Sequence, residues 1–444
     1  MHLIQKGCPM IKKITIAAVL AAAVATGCSN TEPKDSAANP VPAKEPVSLT
    51  LFRYYAGLTE QEFDQYIAKP VKSKFPHVTI NFVSAKTTNA SELEQMLASG
   101  DQADIIFTSN YSLPVVIKMG LAETLDESMK KDDMKLDRFE PSVVDALAKY
   151  GTAGNTYAVP FSLNFAALLY NKDVFDRFGV PYPKEMSTWD DILELSKKLT
   201  RMDGTTQFRG IIMPAIKQVG DQLSLAYADK EKHKATIHND EWKQVFEFMA
   251  PFYAIPGASD NGKTPAALKT FMEDRTLAMN AEWISNAIGP LTELEKNGQP
   301  VNWGMTTYPS FKGRPGIGRA VDFHLMTVSK TSKHKELVFE ILNALAGEEV
   351  QTTITKNGRL TVLNNDAIKN QFGGELAVMK GKDLTAALKS KPARMVTPTD
   401  YDVISSTLLA QGLSSMLANK KDLNTALRDA QEAADKKIAE ERAK

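Results

Sequence analysis

Apolar and polar positions follow a rhythm that switches between a two-residue and a helical period along much of the chain. Residues 47–52 (VSLTLF) are rich in β-formers, residues 60–75 carry apolar side chains at helical spacing, and residues 78–83 (VTINFV) alternate as a strand does. A strand, helix, strand order in so short a span predicts a parallel βαβ unit of right-handed connection. Residues 91–97 then read as a helix and residues 103–107 (ADIIF) as an apolar strand ending in Thr108, Ser109 and Asn110. Ligands of open α/β sheets gather at the carboxyl ends of strands, so Tyr54, Tyr55, Thr108, Ser109 and Asn110 are candidate contacts by placement. Two adjacent tyrosines in an extended chain face opposite ways, so one of the pair is expected to pack inward. Turn-forming residues are common at such strand ends for their own sake, which is the competing reading of Thr108, Ser109 and Asn110.

Further along, a glycine-marked turn at 151–154 precedes two extended segments, 156–160 and 165–170 (FAALLY), separated by 161–164. Asn171 is placed to cap a helix reaching Phe178, where Gly179 stops it and Pro181 and Pro183 forbid its continuation. Residues 187–190 (STWD) open another helix to Leu199, with Asp190 and Asp191 near its positive end. The last stretch, 422–444, has helical composition and mixed charge and is expected to be a solvated helix.

The N-terminus obeys different rules. Lys12 and Lys13 precede an apolar run over 14–25 that is too short to span a bilayer but has the order of a secretory signal. After it come small residues, Cys28, and a Ser/Pro/Ala/Lys/Glu-rich stretch over 29–46 that cannot offset its own ordering entropy and reads as a tether. The segment VATGCSN resembles the lipobox of bacterial lipoproteins, whose cysteine becomes the acylated N-terminus. The resemblance implies a signal over 1–27, lipidation at Cys28 and a tether over 28–46, with the protein held at the extracytoplasmic face of the cell membrane. An ordinary signal with an incidental cysteine is the plainer alternative. Cleavage there removes three lysines and no acid, leaving 50 basic against 53 acidic residues, a balance that argues against a nucleic-acid partner. With no cysteine after Cys28, neither a disulfide frame nor a thiolate metal site is available to the rest of the chain, and neither a metal nor a cofactor is expected.

The run GNTYAVPFSLNFAALLYNKDVFDRFGVPYP, followed by STWDDILELSKKLT, resembles extracellular solute-binding proteins of the maltodextrin-binding type, which serve ABC importers. FMEDRTLAMNAEW (271–283), WGMTTYP (303–309) and LMTVSKTSKHKELVFEILNAL (325–345) resemble further segments of that family in matching order. The resemblance implies an α/β fold of the two-lobed, type II periplasmic-binding-protein kind, with lobe 1 at 47–159 plus 311–360 and lobe 2 at 160–308 plus 361–444. It implies a small-molecule ligand, most simply a sugar or oligosaccharide, held between the lobes, with ABC permease subunits as partners and a monomeric state. By position it also implies that Trp283 stacks on a sugar ring, and that Asn164 and Asp322 hydrogen-bond to ligand. Against these stand a core role for Trp283 and a turn-capping role for Asn164. His324 alone reads as structural. Departures from the maltodextrin binders around residues 108–112, and Gly57 where they carry a lysine, tell against maltose itself; Arg53 and Arg394 are charges that could bear on a ligand.

Two other classes compete. A carbohydrate-active enzyme would need paired carboxylates, and no acid pair, HExxH or GxSxG motif is present; no catalytic residue is assigned. The glycine-rich run 313–320 (GRPGIGRA) lacks the Lys-Ser or Lys-Thr of a phosphate loop and reads as a β connection. A lipoprotein presenting its ligand to a sensor kinase would share every feature above. Metabolic labelling with a fatty acid is expected to mark the wild type and to miss Cys28→Ser; equal labelling of both removes the anchor.

Overall fold

The computed structural model describes residues 45–86, 91–99, 103–150, 154–260, 262–384 and 388–443. The signal, Cys28 and nearly all of the tether lie outside them. In chain order the strands are β1 Val47–Arg53, β2 Val78–Ser84, β3 Ile105–Ser109, β4 Val159–Asn164, β5 Ala166–Asn171, β6 Arg201–Asp203, β7 Thr206–Ile211, the short pair β8 Ala228–Asp229 and β9 Lys234–Ala235, β10 Leu277–Trp283, β11 Trp303–Thr307, β12 Ile317–Ala320, β13 Asp322–Val328 and β14 Lys391–Ala393. Ten of them form two five-stranded mixed sheets, ordered β2-β1-β3-β13-β4 and β11-β5-β10-β7-β6.

The first sheet begins as the sequence pattern predicts. Strand β1 pairs in parallel with both β2 and β3. The helical stretch between β1 and β2 starts at Thr59, whose hydroxyl accepts from the Glu62 N–H while Glu62 reaches back to the Thr59 N–H, a reciprocal cap. It passes through a π turn at Asp64–Ala68 just ahead of Pro70, which cannot donate to the helix. The sheet is completed from far along the chain. Strand β13, buried at all seven positions, lies antiparallel between β3 and β4.

The chain passes from the first sheet to the second at Phe165. Residues 161–164, which the sequence pattern assigned to a spacer, belong to β4, because Phe161 is sealed in the core and the strand pairs with β13 as far as Asn164 opposite Asp322. The expected boundary at Pro160 therefore falls inside a strand. A similar extension occurs later: Val362, Leu363 and Ile368 still pack in the first sheet's core, beyond the expected break at Leu360. Buried Gln351 holds them there. Its Oε1 accepts from Thr361 Oγ1 (2.8 Å) and the Val362 N–H (3.1 Å), while its Nε2 donates to the Phe161 carbonyl (2.8 Å).

On the second sheet, Asn171 accepts from the Val174 N–H and caps helix Lys172–Phe178, which ends at Gly179 with φ of 62°, a left-handed value that glycine adopts without a Cβ penalty. Helix Trp189–Leu199 lies so close to β7 that a Cβ on Gly210 would sit 2.3 Å from the Ser196 Cα. The C-terminal helix Leu423–Arg442 is not simply solvated. Ala426, Ala430, Ala434 and Ile438, spaced every fourth residue, pack with Leu427 in the same core as Trp189 and Trp242. Alanine contributes little to an apolar pattern but lets helices approach, so this buried stripe is quiet in sequence.

One further segment joins the two halves. After β14, which pairs with β12, Met395 is buried in the first sheet's cluster with Leu113, Tyr150 and Phe323, its Sδ 3.2 Å from the Tyr150 hydroxyl. Six residues later Tyr401 packs on the second sheet's core and approaches His233 Nδ1 at 3.0 Å.

Beneath the first crossing lies a buried polar network. Arg359 donates through Nε and Nη2 to the Glu62 carboxylate (2.7 and 2.9 Å) and through Nη2 to the Gly57 carbonyl, and its Nη1 lies 2.9 Å from His324 Nδ1. Burial and the neighbouring guanidinium hold His324 down to about 3, so its imidazole is neutral at physiological pH. Burial alone would raise the Glu62 carboxyl, but the hydrogen bonds and charge of Arg359, with help from Thr59, outweigh it and depress the pKa. A depressed carboxylate contributes stability above its unfolded pKa and loses it as pH falls through the folded value. Arg359→Met is expected to cost about 3 kcal/mol of unfolding free energy at pH 7 by stranding Glu62. The difference from wild type should shrink on acidification through the Glu62 titration, read by denaturant unfolding at a series of pH values.

Candidate functional site

The carboxyl ends of β1 and β3, the Asn164–Asp322 end of the first sheet and the Trp283 end of β10 bring the sequence candidates into view. Of the four tryptophans, Trp189, Trp242 and Trp303 are sealed at 2% exposure or less, whereas Trp283 is only half-buried. Asn164 donates to Asp322 Oδ2 at 2.8 Å, across the last register pair of β4 and β13. Asp322 is buried, and burial raises its pKa, opposed by the Asn164 hydrogen bond and by the charges of Arg319 and Lys217.

The tyrosine pair divides as expected, with one ring packed inward, but through a bend after β1 rather than along an extended chain. Tyr54 is 3% exposed and packs with Phe52, Leu93 and Ile106, while Tyr55 is half exposed at a left-handed φ of 52°. Thr108 and Ser109 are buried in β3, and their hydroxyls have no hydrogen-bond partner among the described residues. Asn110 is fully committed to the fold. Its backbone N–H donates to the Phe323 carbonyl, its Oδ1 accepts from the Phe323 N–H (3.0 Å), and its Nδ2 donates to the Val321 carbonyl (3.3 Å) and toward the Tyr150 hydroxyl (3.4 Å). Its amide is thus engaged in tying β3 to the segment entering β13 and to Tyr150, so its side chain positions the site. Arg53 is similarly spoken for, by Ser84 Oγ and the Ala56 carbonyl.

Several groups that sequence reasoning missed complete the arrangement. Arg319 lies with its guanidinium 4.0 Å from the centre of the Trp283 ring, and its Nη1 is 3.7 Å from Glu282 Oε1. Glu282 Oε1 instead accepts from the Trp283 N–H (2.8 Å) and Asn286 Nδ2 (3.2 Å). Lys217, on helix Ile216–Gln222 beside the second sheet, pairs with Asp221 (2.7 Å), and its ammonium stands 5.1 Å from the ring centre of Tyr111, which follows β3. That cation–π contact joins the two halves directly. Arg319 sits in the glycine-rich run 313–320, where only a β connection was expected, and no motif marks Lys217 or Tyr111.

Chemically, the arrangement offers an aromatic face, a carboxylate from each sheet, the cations of Arg319 and Lys217, and no group of three or more His, Cys, Asp or Glu side chains able to hold a metal among the described residues. A surface depression of about 450 Å³ lined by Lys74, Asp132, Arg138, Glu340 and Asn343 lies elsewhere, against helix Lys335–Leu345. It contains none of these groups, so convergence of polar side chains, rather than concavity, locates the site. Asp322→Asn is expected to stabilise the unliganded protein at neutral pH, since a raised carboxyl pKa means that the fold opposes the charge. The gain should fade as pH drops below the folded pKa toward the ordinary carboxylate range, where wild type is protonated as well; thermal melts against pH check this.

Known structures share this architecture. An ABC substrate-binding protein from Listeria monocytogenes in complex with cycloalternan superimposes with a TM-score of 0.71 at 18% identity, covering 89% of this chain and all of that one. Among sequence relatives, the mannitol-binding protein of Pseudomonas aeruginosa is 27% identical over 215 residues, 45% of this chain and 47% of its own length. The sn-glycerol-3-phosphate-binding periplasmic protein of Brucella melitensis is 22% identical over 331 residues, 68% of this chain and 72% of its own. The fold is the two-lobed type II α/β arrangement. The family model of the bacterial extracellular solute-binding proteins matches residues 56–352, and the chain belongs to that family.

Proposed function

We propose that this protein is a lipid-anchored substrate-binding protein that captures a sugar or oligosaccharide between its two lobes and delivers it to the permease of an ABC importer. Family membership supports capture and transport, and the cycloalternan and mannitol names borne by similar proteins support a carbohydrate. The observation that carries the reading is Arg319, placed over half-buried Trp283 beside Glu282 of the second sheet and close enough for its charge to act on Asp322 of the first. Tyr55, Thr108, Ser109, Asn164, Trp283 and Asp322 border the ligand, Tyr54 and Asn110 brace them from behind, and Cys28 carries the anchor.

An indole face offers apolar area to the C–H side of a pyranose, while hydroxyls find the surrounding donors and acceptors. A solute touching both lobes binds the closed arrangement better and shifts the population by no more than that difference. Moving from mostly open to mostly closed takes about 5.5 kcal/mol, within reach of several hydrogen bonds and one stacked ring. Bond cleavage has no part in this cycle, so the ligand is released intact.

A thermal-shift screen of mono- and oligosaccharides tests the reading, since a ligand at a hundredfold excess over its dissociation constant adds about 2.7 kcal/mol. One sugar class should raise the melting temperature and contract the scattering profile, and Trp283→Ala should abolish both responses. A panel that moves neither quantity rejects the function.

A further inference from the structure

We propose that Arg319, laid on Trp283 with a buried N–H that has no acceptor, is the residue that selects the ligand, and that what it selects is an uncharged polyhydroxyl compound rather than a sugar phosphate or sugar acid. The inference rests on the solute-binding reading of the same site and narrows its ligand class.

Three observations carry it. First, Arg319 is 7% exposed, yet its Nη1 has no hydrogen-bond partner among the described residues. The Glu282 oxygen at 3.7 Å is too far for a hydrogen bond and is already used by the Trp283 N–H and Asn286. A buried guanidinium N–H without an acceptor is costly, and such cost persists where a ligand atom supplies what the fold withholds. Second, the guanidinium carbon stands over the indole, 4.0 Å from the ring centre, and so occupies one face of the ring. A sugar ring would then meet the other face or the indole edge, with Arg319 beside it as a donor.

Third, the charge around that donor is already negative. Glu282 lies on one side and buried Asp322 follows three residues on, while Lys217, the other cation acting on Asp322, is matched by Asp221. An anionic ligand would add a further negative charge beside two carboxylates that share one unmatched cation. A hydroxyl has no such conflict. Its oxygen accepts from Arg319, and its own proton goes to a carboxylate oxygen, so vicinal hydroxyls fit a donor flanked by acceptors.

The test compares wild type, Arg319→Met and Arg319→Lys in the mature chain, with D-mannitol, maltotriose, sn-glycerol-3-phosphate and galacturonate as probes. Thermal shift and calorimetry provide the readouts. Expected for wild type is binding of a neutral probe and none of the charged ones, with Arg319→Met weakening it by at least about tenfold and Arg319→Lys recovering part of the loss. Because Arg319→Met also removes the nearest cation from Glu282 and Asp322, Arg319→Lys, which keeps the charge, is the stability control, and its unliganded melting temperature should stay near that of wild type. An arginine serving only the fold would leave probe affinity unchanged in the folded Arg319→Lys and Arg319→Met proteins, and that result overturns the proposal. Binding of a charged probe in preference to the neutral ones also overturns it while leaving solute capture intact. Silence from every probe, by contrast, removes both readings together.

Discussion

Everything near the site depends on β13 being clamped on both sides by strands that precede it by more than a hundred residues. A strand buried at all seven positions must satisfy each backbone donor and acceptor from its neighbours, and β3 and β4 supply them in antiparallel register. The clamp has a directional consequence. Because β13 enters the sheet at Asp322, directly opposite the exit of β4 at Asn164, the chain's first departure from the sheet and its return are adjacent, and the polar residues at that edge face the second sheet. Arg319, just upstream, is delivered to Trp283 by the same geometry.

The electrostatics separate two kinds of buried charge. Arg359 is fully used: the Glu62 carboxylate, the Gly57 carbonyl and the His324 ring surround it, and it holds the first helix to the strand layer. Arg319 is used incompletely, and its nearest carboxylate is committed elsewhere. The fold thus satisfies one buried guanidinium and leaves another with an idle hydrogen. Arg138 and Arg209 also carry a buried N–H without an acceptor among the described residues, and Arg319 differs from them in lying over half-buried Trp283.

Much of the framework was legible in the sequence. The strands at 47–53, 78–84 and 105–109, the Asn171 cap and the Gly179 stop are local signals, written by alternation, side-chain acceptors and a left-handed backbone angle. Family resemblance found Trp283, Asn164 and Asp322, and the structure places the latter two in direct contact. What sequence could not show was long-range commitment. Asn110 looks the same on the page whether its amide is free or bound to Val321 and Phe323, more than two hundred residues away. Arg319 sits among glycines with no periodic signal, and the alanine stripe of the last helix is invisible to a hydropathy pattern. The crossing point was misplaced by a few residues for a related reason: Phe161 to Asn164 become a strand only because β13 arrives to pair with them.

The Met395 segment sets a mechanical limit on this architecture. Its sulfur is seated against Tyr150 in one half, and Tyr401 is fastened in the other, six positions along a chain that can separate them by at most about 20 Å when fully drawn out. Two halves joined only by strands near a common axis could swing until their sheets collided or parted. With this short cord sewn across, opening beyond its reach has to lift Met395 or Tyr401 from its seat, so the widest gape carries the cost of breaking one of those contacts.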